Sequence, residues 1–202
     1  MKKVLALLAL TLTLACGSIP LKQTIPVALK SVGLVQFNEK GICTAFSINE
    51  TGKWVTAGHC VDGTVNVRVN GVAAKTLKFD SGIDLAIVQA GSAPALTLGS
   101  EPDLGDLTVV IGHVTRSAPF SFFGHVSVTA IDVTDDTGVD KNVMMLHEGG
   151  GPGTSGAPVI GDDGVIGVVL GGAQFPSHMV MASKRRDVAK FTDGYWEQKK
   201  DN

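Results

Sequence analysis

The sequence predicts an all-β fold made of two six-stranded antiparallel β-barrels followed by a C-terminal helix. Glycine is frequent, at 25 of 202 residues, and short runs rich in Val, Ile and Thr alternate with turn signals that contain Asn and Gly. A stretch rich in Pro, Gly and Asp near residues 93–106 divides these runs into two sets. Two sets of about six short strands are typical of two small barrels.

Each predicted strand is a short apolar run bounded by turn residues. The first barrel, at about residues 31–92, contains the runs SVGLVQF, GICTAFSI, KWVTA, VNVRV and LAIVQA. The second barrel, at about residues 105–183, contains LTVVIGHV, FFGHVSVTAIDV, NVMMLH, APVI, GVIGVVLGG and HMVMA.

Only the C-terminal end, at about residues 184–199, has a helical pattern. Val188, Phe191 and Tyr195 fall on one face at i, i+3 and i+7 spacing, with Lys and Arg opposite. The predicted folded domain therefore covers residues 31–202. Residues 18–30, with two Pro and no clear period, are interpreted as a spacer before it.

The overall composition is that of an ordinary globular protein. Hydrophobic residues make up 44% and charged residues 18%, and the formal net charge is −2. A nucleic-acid-binding surface would require clustered Lys and Arg, so we expect no nucleic-acid partner.

The first 17 residues are interpreted as an export signal. Two Lys precede twelve apolar or Thr residues at 4–15, a run that is too short to span a bilayer as a helix. The sequence therefore predicts a protein that works in the periplasm or outside the cell, where disulfides persist.

Cys16 leaves two interpretations of this signal open. The sequence TLAC resembles a bacterial lipobox, in which Cys16 would be lipidated and attach the protein to a membrane. Thr13 and Leu14 depart from that pattern, and ordinary cleavage after Gly17 is the alternative. Either way, an even number of other cysteines remains in an oxidising compartment.

A glycine-rich stretch at residues 149–159, GGGPGTSGAPV, surrounds a single Ser155. It is too rich in Pro for a flexible linker, and no Lys precedes a Ser or Thr as in a phosphate-binding loop. What remains is a tight turn that directs backbone N–H groups at one point. Gly153 and Gly156 permit the backbone conformations that such a turn needs, and converging N–H groups can stabilise an oxyanion.

Two further stretches contain candidate catalytic groups. His59 lies in TAGHC, and imidazole changes its charge near neutral pH, which suits a general base. Asp84 opens the apolar run DLAIV, where burial of an unpaired carboxylate would be costly, so it needs a partner. Asp80 is the competing carboxylate.

The order His59, Asp84, Ser155 resembles that of the trypsin/chymotrypsin-like serine proteases, especially their compact bacterial and viral members. TAGHC, DLAIV and GTSGAPV match the three motifs of that family, and the likeness runs from about Ser31 to the C-terminal helix. The resemblance implies a serine endopeptidase that acts on polypeptides through a covalent acyl-enzyme and needs no cofactor or metal. Ser155 would be the nucleophile, His59 the base and Asp84 its partner, with the N–H groups of Gly153 and Ser155 as the oxyanion hole.

The same resemblance implies a disulfide between Cys43 and Cys60 beside the catalytic His. It also implies a substrate-binding surface, listed as Gly149, Leu170, Gly171 and Gly172. Thr154 stands where activated digestive members have an Asp that pairs with a new N-terminal amine, so other contacts must hold the oxyanion loop.

Two other classes of function were weighed against the protease. One is a binding lipoprotein with a protease fold and weak or no activity. All three catalytic residue types are present, which favours the enzyme. The other is a metal site, but the available ligands lack a compact spacing: His59, His113, His125, Cys43 and Cys60.

Overall fold

The computed structural model describes residues 21–38, 41–64, 66–134, 140–147, 150–172 and 179–196. The predicted export signal and Cys16 lie outside these residues. The first half comprises α1 (Leu21–Ser31), β1 (Val32–Phe37), β2 (Gly41–Asn49), β3 (Lys53–Ala57), β4 (Arg68–Val69), β5 (Val72–Ala73), β6 (Lys75–Asp80) and β7 (Leu85–Gln89). The second half comprises β8 (Leu107–Gly112), β9 (Phe120–Thr134), β10 (Asp140–His147), β11 (Pro158–Ile160), β12 (Val165–Gly172), β13 (Met179–Ala182) and α2 (Arg185–Phe191).

The first half forms one antiparallel sheet of seven strands in the order β5-β4-β1-β2-β3-β7-β6. Its two edge strands, β5 and β6, are consecutive in sequence and are separated only by Ala74. The sheet therefore curls until its edges lie side by side, which gives an incompletely closed barrel. The prediction of an antiparallel, barrel-like first half is confirmed, but the sheet has seven strands in place of six.

The second half forms a closed barrel of six strands in the order β10-β13-β12-β11-β8-β9, with β9 pairing back to β10. Every strand pair in it is antiparallel. Because the barrel is closed, a free sheet edge remains only where one strand extends beyond the end of its neighbour. The predicted two-barrel, all-β class is confirmed.

Each half has an apolar interior of branched and aromatic side chains. In the first half, Phe46 and Trp54 are almost completely buried, and the Trp54 indole N–H donates to the Gly91 carbonyl at 2.7 Å. The strands β2 and β7 are buried on both faces, which explains their nearly continuous apolar sequences. A second cluster around Val110, Leu146 and Val159 fills the closed barrel.

Three local predictions differ from the structure. The segment interpreted as a spacer contains the helix α1, which buries Ala28 in the core although Pro26 interrupts its sequence pattern. The run VNVRV contributes only the two residues of β4. The C-terminal helix ends at Phe191, before Gly194 adopts a positive φ of 76° that a helix cannot accommodate. Among the helices that the structure describes, none is long and apolar enough to cross a membrane.

The disulfide between Cys43 and Cys60 joins β2 to a 3₁₀ turn at Gly58–Cys60, with 6.2 Å between the two Cα atoms. Both cysteines are buried, at 3% and 0% exposure. The bridge spans 17 residues of sequence and encloses β3. It therefore limits how far the turn can move away from the central strand.

We expect both cysteines to resist alkylation in the unfolded protein until a reductant is added, and to react fully afterwards. Replacing both by Ser should lower the free energy of unfolding by about 3 kcal/mol, because the closed loop no longer restricts the unfolded chain. Mass spectrometry after alkylation in urea and a urea unfolding curve measure the two effects. Free thiols at these positions in the untreated protein would contradict the prediction.

Candidate active site

Strand pairing brings His59 and Asp84 together. The pairing of β3 with β7 ends at Ala57 opposite Leu85. Gly58, which follows β3, therefore lies opposite Asp84, which precedes β7. Beyond that pair, the Gly58 N–H donates to the Asp84 carbonyl at 2.8 Å. His59 and Asp84 therefore lie at the same end of the sheet, His59 two residues after β3 and Asp84 one residue before β7.

Asp84 holds His59 by two hydrogen bonds. Its Oδ1 accepts from the His59 backbone N–H at 2.8 Å, and its Oδ2 lies 2.9 Å from His59 Nδ1. A φ of 55° turns the Asp84 backbone so that both oxygens face the His59 turn. Asp80, the competing carboxylate, instead accepts the backbone N–H groups of Gly82 and Ile83 in the turn before Asp84.

The environment keeps Asp84 ionised. Burial alone would raise its pKa, but the hydrogen bonds and charge of His59, together with the nearby Lys141 ammonium, outweigh burial and hold the pKa of Asp84 below its usual value. An anionic Asp84 accepts a hydrogen bond from Nδ1–H, which leaves His59 Nε2 as the unprotonated nitrogen of the neutral ring.

Lys141 comes to this pair from the other barrel. It lies at the start of β10, and its Nζ is 3.4 Å from Asp84 Oδ2, the oxygen that also faces His59 Nδ1. The Lys141 side chain is 17% exposed, so solvent screens this contact only in part. The sequence analysis did not identify Lys141, because no local pattern links it to a residue in the other barrel.

The loop that contains Ser155 is held by main-chain hydrogen bonds on both sides. The Ser155 carbonyl accepts from Thr44 N–H at 2.8 Å, and Gly156 N–H donates to the Val169 carbonyl at 2.7 Å. Gly156 has a φ of 83°, and a Cβ on it would lie 2.1 Å from the Thr44 carbonyl oxygen. Only glycine fits this position, as the sequence analysis expects.

Among the described residues, the N–H groups of Gly153 and Ser155 have no acceptor. The N–H groups of Gly151, Thr154, Gly156 and Ala157 all donate within the protein. Those of Gly153 and Ser155 donate to no residue in the described part of the chain. The two N–H groups that are predicted to form an oxyanion hole are thus unused within the described residues.

The Ser155 hydroxyl is half-buried beside the strand predicted to bind substrate. Its Oγ lies 3.5 Å from the Leu170 carbonyl. In the described residues, β12 pairs with β11 only as far as Val168, whereas Gly171 and Gly172 pair with β13 alone. One edge of this segment is therefore open. Gly149, the fourth predicted substrate-binding residue, lies outside the described residues.

A cluster with the composition of a metal site is also present. Ligand atoms of Cys43, His59 and Cys60 lie within 4.8 Å of one another. The two sulfurs are joined in the disulfide and cannot act as thiolate ligands. His125, another residue of the rejected metal hypothesis, instead stacks on His147 with 5.2 Å between ring centroids.

His113 is buried behind the Ser155 loop, at 6% exposure. Its Nδ1 lies 2.9 Å from the Ser117 carbonyl, which can only accept, so Nδ1 carries the proton. Burial lowers the pKa of His113, and the bond to Ser117 offsets this only in part. The folded protein therefore favours the neutral ring.

We expect this burial to make the protein less stable in mild acid. Because the pKa of His113 is lower in the folded state, the unfolded chain binds more protons below its ordinary value of 6.5, and stability is lost as the pH falls through that value. His113→Asn retains an N–H donor and should reduce the fall in urea midpoint between pH 7.5 and 5.5. The same change at the exposed His125 should leave that fall unchanged. Equal falls in wild type and His113→Asn would contradict the prediction.

Comparison with known proteins agrees with the fold and with the family that the sequence resembles. The model of the trypsin-like peptidase domain matches residues 43–169, more than half of the chain. No curated protein sequence matches the chain.

Solved structures of proteases have a similar fold. The inactive form of the Rv3671c protease has a TM-score of 0.75 at 22% identity, over 88% of this chain and 94% of that one. The active form of the same protease from M. tuberculosis has a TM-score of 0.75 at 23% identity, over 86% and 85%. A serine endoprotease from Yersinia pestis has a TM-score of 0.71 at 17% identity, over 85% and 65%. By the match of its sequence to the family model, the chain belongs to the trypsin-like peptidases.

Proposed function

We propose that the protein is a serine endopeptidase that cleaves polypeptides through Ser155, His59 and Asp84. The observation that carries the proposal is the loop around Ser155, in which the N–H groups of Gly153 and of Ser155 have no acceptor in the described residues. A hydroxyl beside two unused N–H groups is the arrangement that acyl transfer requires. The oriented His59–Asp84 pair supplies the accompanying base.

In this mechanism the Ser155 Oγ attacks the carbonyl carbon of a peptide bond. Its proton passes to His59 Nε2, while the negative charge that develops on the carbonyl oxygen is stabilised by the N–H groups of Gly153 and Ser155. His59 then gives the proton to the leaving amine, and an acyl group remains on Ser155. A water molecule, deprotonated by His59, releases that acyl group.

Asp84 orients His59 in this scheme. Its bond to Nδ1 keeps Nε2 free to accept a proton, and its charge stabilises the imidazolium that forms in each step. The Ser155 Oγ bonds to the Leu170 carbonyl in the absence of substrate, and such a hydroxyl rotates toward the base when substrate is bound.

An extended peptide fits the open edge of β12. The backbone groups of Leu170, Gly171 and Gly172 lie beyond the end of β11, next to the Ser155 loop. A peptide added there as an antiparallel strand gains main-chain hydrogen bonds. The absence of side chains at Gly171 and Gly172 lets the peptide approach closely.

The alternative is a binding lipoprotein that retains the fold with weak or no activity. It makes no use of the two unpaired N–H groups or of the ionised Asp84, and both features favour the enzyme. Modification of Ser155 by an active-site probe separates the two functions, because a fold used only for binding needs no reactive hydroxyl.

We also propose that the protein is exported to the periplasm or beyond, as the N-terminal segment indicates, with a membrane anchor if Cys16 is lipidated. The disulfide supports export, because the cytoplasm keeps such thiols reduced. Alkylation of Cys43 and Cys60 in protein taken directly from cells tests this location. Fully reduced cysteines there would contradict export.

We expect a fluorophosphonate probe to label the wild-type protein and to leave Ser155→Ala unlabelled, because the probe bonds covalently only to an activated hydroxyl. The labelled peptide, identified by mass spectrometry, should contain Ser155. A wild-type protein that stays unlabelled would overturn the proposed function in favour of the binding alternative.

The two carboxylates provide a matched comparison in the same assay. Asp84→Asn should slow labelling by about 10³–10⁴-fold, because an amide cannot hold the required form of His59. Asp80→Asn retains an oxygen acceptor for the turn, so its labelling rate should stay within about twofold of wild type. The reverse result would show that Asp80 is the functional acid.

We expect the labelling rate to rise with pH, because the proposed base must be unprotonated to accept the Ser155 proton, and we expect Lys141→Met to move this rise to higher pH. A cation 3.4 Å from Asp84 Oδ2 opposes a second positive charge on the adjoining imidazole. At pH 6 the variant should react roughly three- to tenfold more slowly, and at pH 8 as fast as wild type or faster.

Lys75→Met is the control for this pH profile. Lys75 is exposed and pairs with Gln89, at the end of β6 and β7 that is far from Asp84. Its removal changes the net charge equally but should not move the profile. If both variants coincide with wild type, the contact of Lys141 with Asp84 has no influence on His59.

A further inference from the structure

We propose that the Thr44 hydroxyl is a positioning group for the oxyanion hole, which it holds in its working conformation by binding the Gly153 carbonyl. The inference rests on the proposed function and adds a residue to it that lies outside the three catalytic motifs. Thr44 does not touch the reacting atoms. It acts through Gly153 and through Ser155, the two residues whose N–H groups face the developing charge.

The direction of each hydrogen bond at the Thr44 hydroxyl is determined. The His113 backbone N–H donates to Oγ1 at 2.9 Å, and an N–H can only donate, so Oγ1 is the acceptor there. The single hydroxyl proton is therefore available for the Gly153 carbonyl oxygen, which lies 2.9 Å away. Thr44 has 0% exposure, so both bonds are shielded from water.

This bond restrains the part of Gly153 that packing alone leaves free. Gly153 has a φ of 92°, and a Cβ on it would lie 2.4 Å from the His113 carbonyl oxygen, so its backbone is wedged against β8 and the residues that follow it. The Thr44 bond sets the orientation of the Gly153 carbonyl, and the next N–H, of Thr154, donates to the Gly151 carbonyl at 3.0 Å. Both contacts hold the peptide unit between Gly153 and Thr154. The Gly153 N–H belongs to the preceding peptide unit, so they restrain it through the Gly153 Cα, whose backbone packs against the His113 carbonyl.

The main chain of Thr44 restrains the second donor. Thr44 N–H donates to the Ser155 carbonyl at 2.8 Å, and the Thr44 carbonyl accepts from Thr56 Oγ1 at 2.7 Å. One residue of β2 thus holds both Gly153 and Ser155. Of the bonds that Thr44 makes to Gly153 and Ser155, the one from its hydroxyl is the one that a side-chain substitution removes.

Hydrogen bonds of the Thr154 and Thr44 hydroxyls hold the Ser155 loop, which digestive members of the family hold with an ion pair. Thr154 occupies the position of their Asp, and its Oγ1 donates to the Gly151 carbonyl at 2.7 Å and accepts from Gly151 N–H at 3.1 Å. These bonds close the loop on itself, and the Thr44 bond attaches the closed loop to the first barrel. The conformation of the loop then requires no free N-terminal amine.

The closed barrel offers a matched control residue. Thr108 on β8 is also buried, at 2% exposure, but its Oγ1 has no hydrogen-bond partner in the described structure. Thr→Val at either position replaces a hydroxyl by a methyl group of similar volume. At Thr108 the change removes an unpaired polar atom, whereas at Thr44 it leaves the Gly153 carbonyl and the His113 N–H without their partner.

The test compares Thr44→Val, Thr44→Ser and Thr108→Val in two assays at a temperature where circular dichroism shows each protein folded. The first measures the rate of fluorophosphonate labelling. The second measures protection from labelling by phenylboronic acid, whose tetrahedral adduct with Ser155 places an anionic oxygen in the oxyanion hole. We expect Thr44→Val to lower the labelling rate and the boronate affinity each by about 10–100-fold, because misplacing one donor approaches the cost of losing it.

Thr44→Ser keeps the hydroxyl and should return both values to within about threefold of wild type, and Thr108→Val should leave both unchanged. A purely structural role for Thr44 predicts a lower urea midpoint with normal labelling of the folded protein, and that result overturns the inference. If Thr44→Val does not fold, Thr44→Ala, which leaves room for a water molecule against His113, is measured in its place with the same expectation. An unlabelled wild-type protein overturns the proposed function itself, whereas a labelled wild type with an equally reactive Thr44→Val overturns this inference alone.

Discussion

The candidate active site depends on one short stretch of β2, Cys43 and Thr44, where the two barrels meet. His59 belongs to the first barrel and Ser155 to the second, and one apolar cluster joins the two, since Phe46 and Trp54 belong to the same cluster as Val109 and Ile160. Cys43 is bonded to the residue after His59, and Thr44 binds the Ser155 loop through its main chain and its side chain. The shared cluster packs the barrels together, and this stretch adds a covalent bond and hydrogen bonds next to the two catalytic candidates.

Burial is what makes these contacts restrictive. Hydrogen bonds at Thr44 lie in the interior, where a donor or acceptor without a partner costs about 1–3 kcal/mol, so the loop has few alternative arrangements of similar energy. Glycine at positions 153 and 156 lets the loop approach β2 closely enough to form them. In this arrangement the N–H groups of Gly153 and Ser155 have no acceptor among the described residues.

The charges at the site are distributed between the barrels as well. Asp84 is buried yet ionised because His59 and Lys141 both face its carboxylate. One of these partners follows β3 in the first barrel, and the other begins β10 in the second. The β9–β10 ribbon is therefore part of the electrostatic environment of His59, although it contributes none of the three proposed catalytic residues.

The sequence alone determined those features that depend on residues close together in the chain. Strands bounded by turns, the glycines at 153 and 156, and the motifs around His59, Asp84 and Ser155 are local patterns, and together they indicated the class of fold and the chemistry. The sequence did not predict two elements whose stability depends on packing. The helix α1 has an unfavourable sequence pattern, and the exposed strand β6 has no apolar run. Thr44 and Lys141 are ordinary residues in their own segments. Only the tertiary structure decided their roles, because hydrogen bonds and charge contacts between barrels depend on how the two barrels pack, which no local pattern encodes.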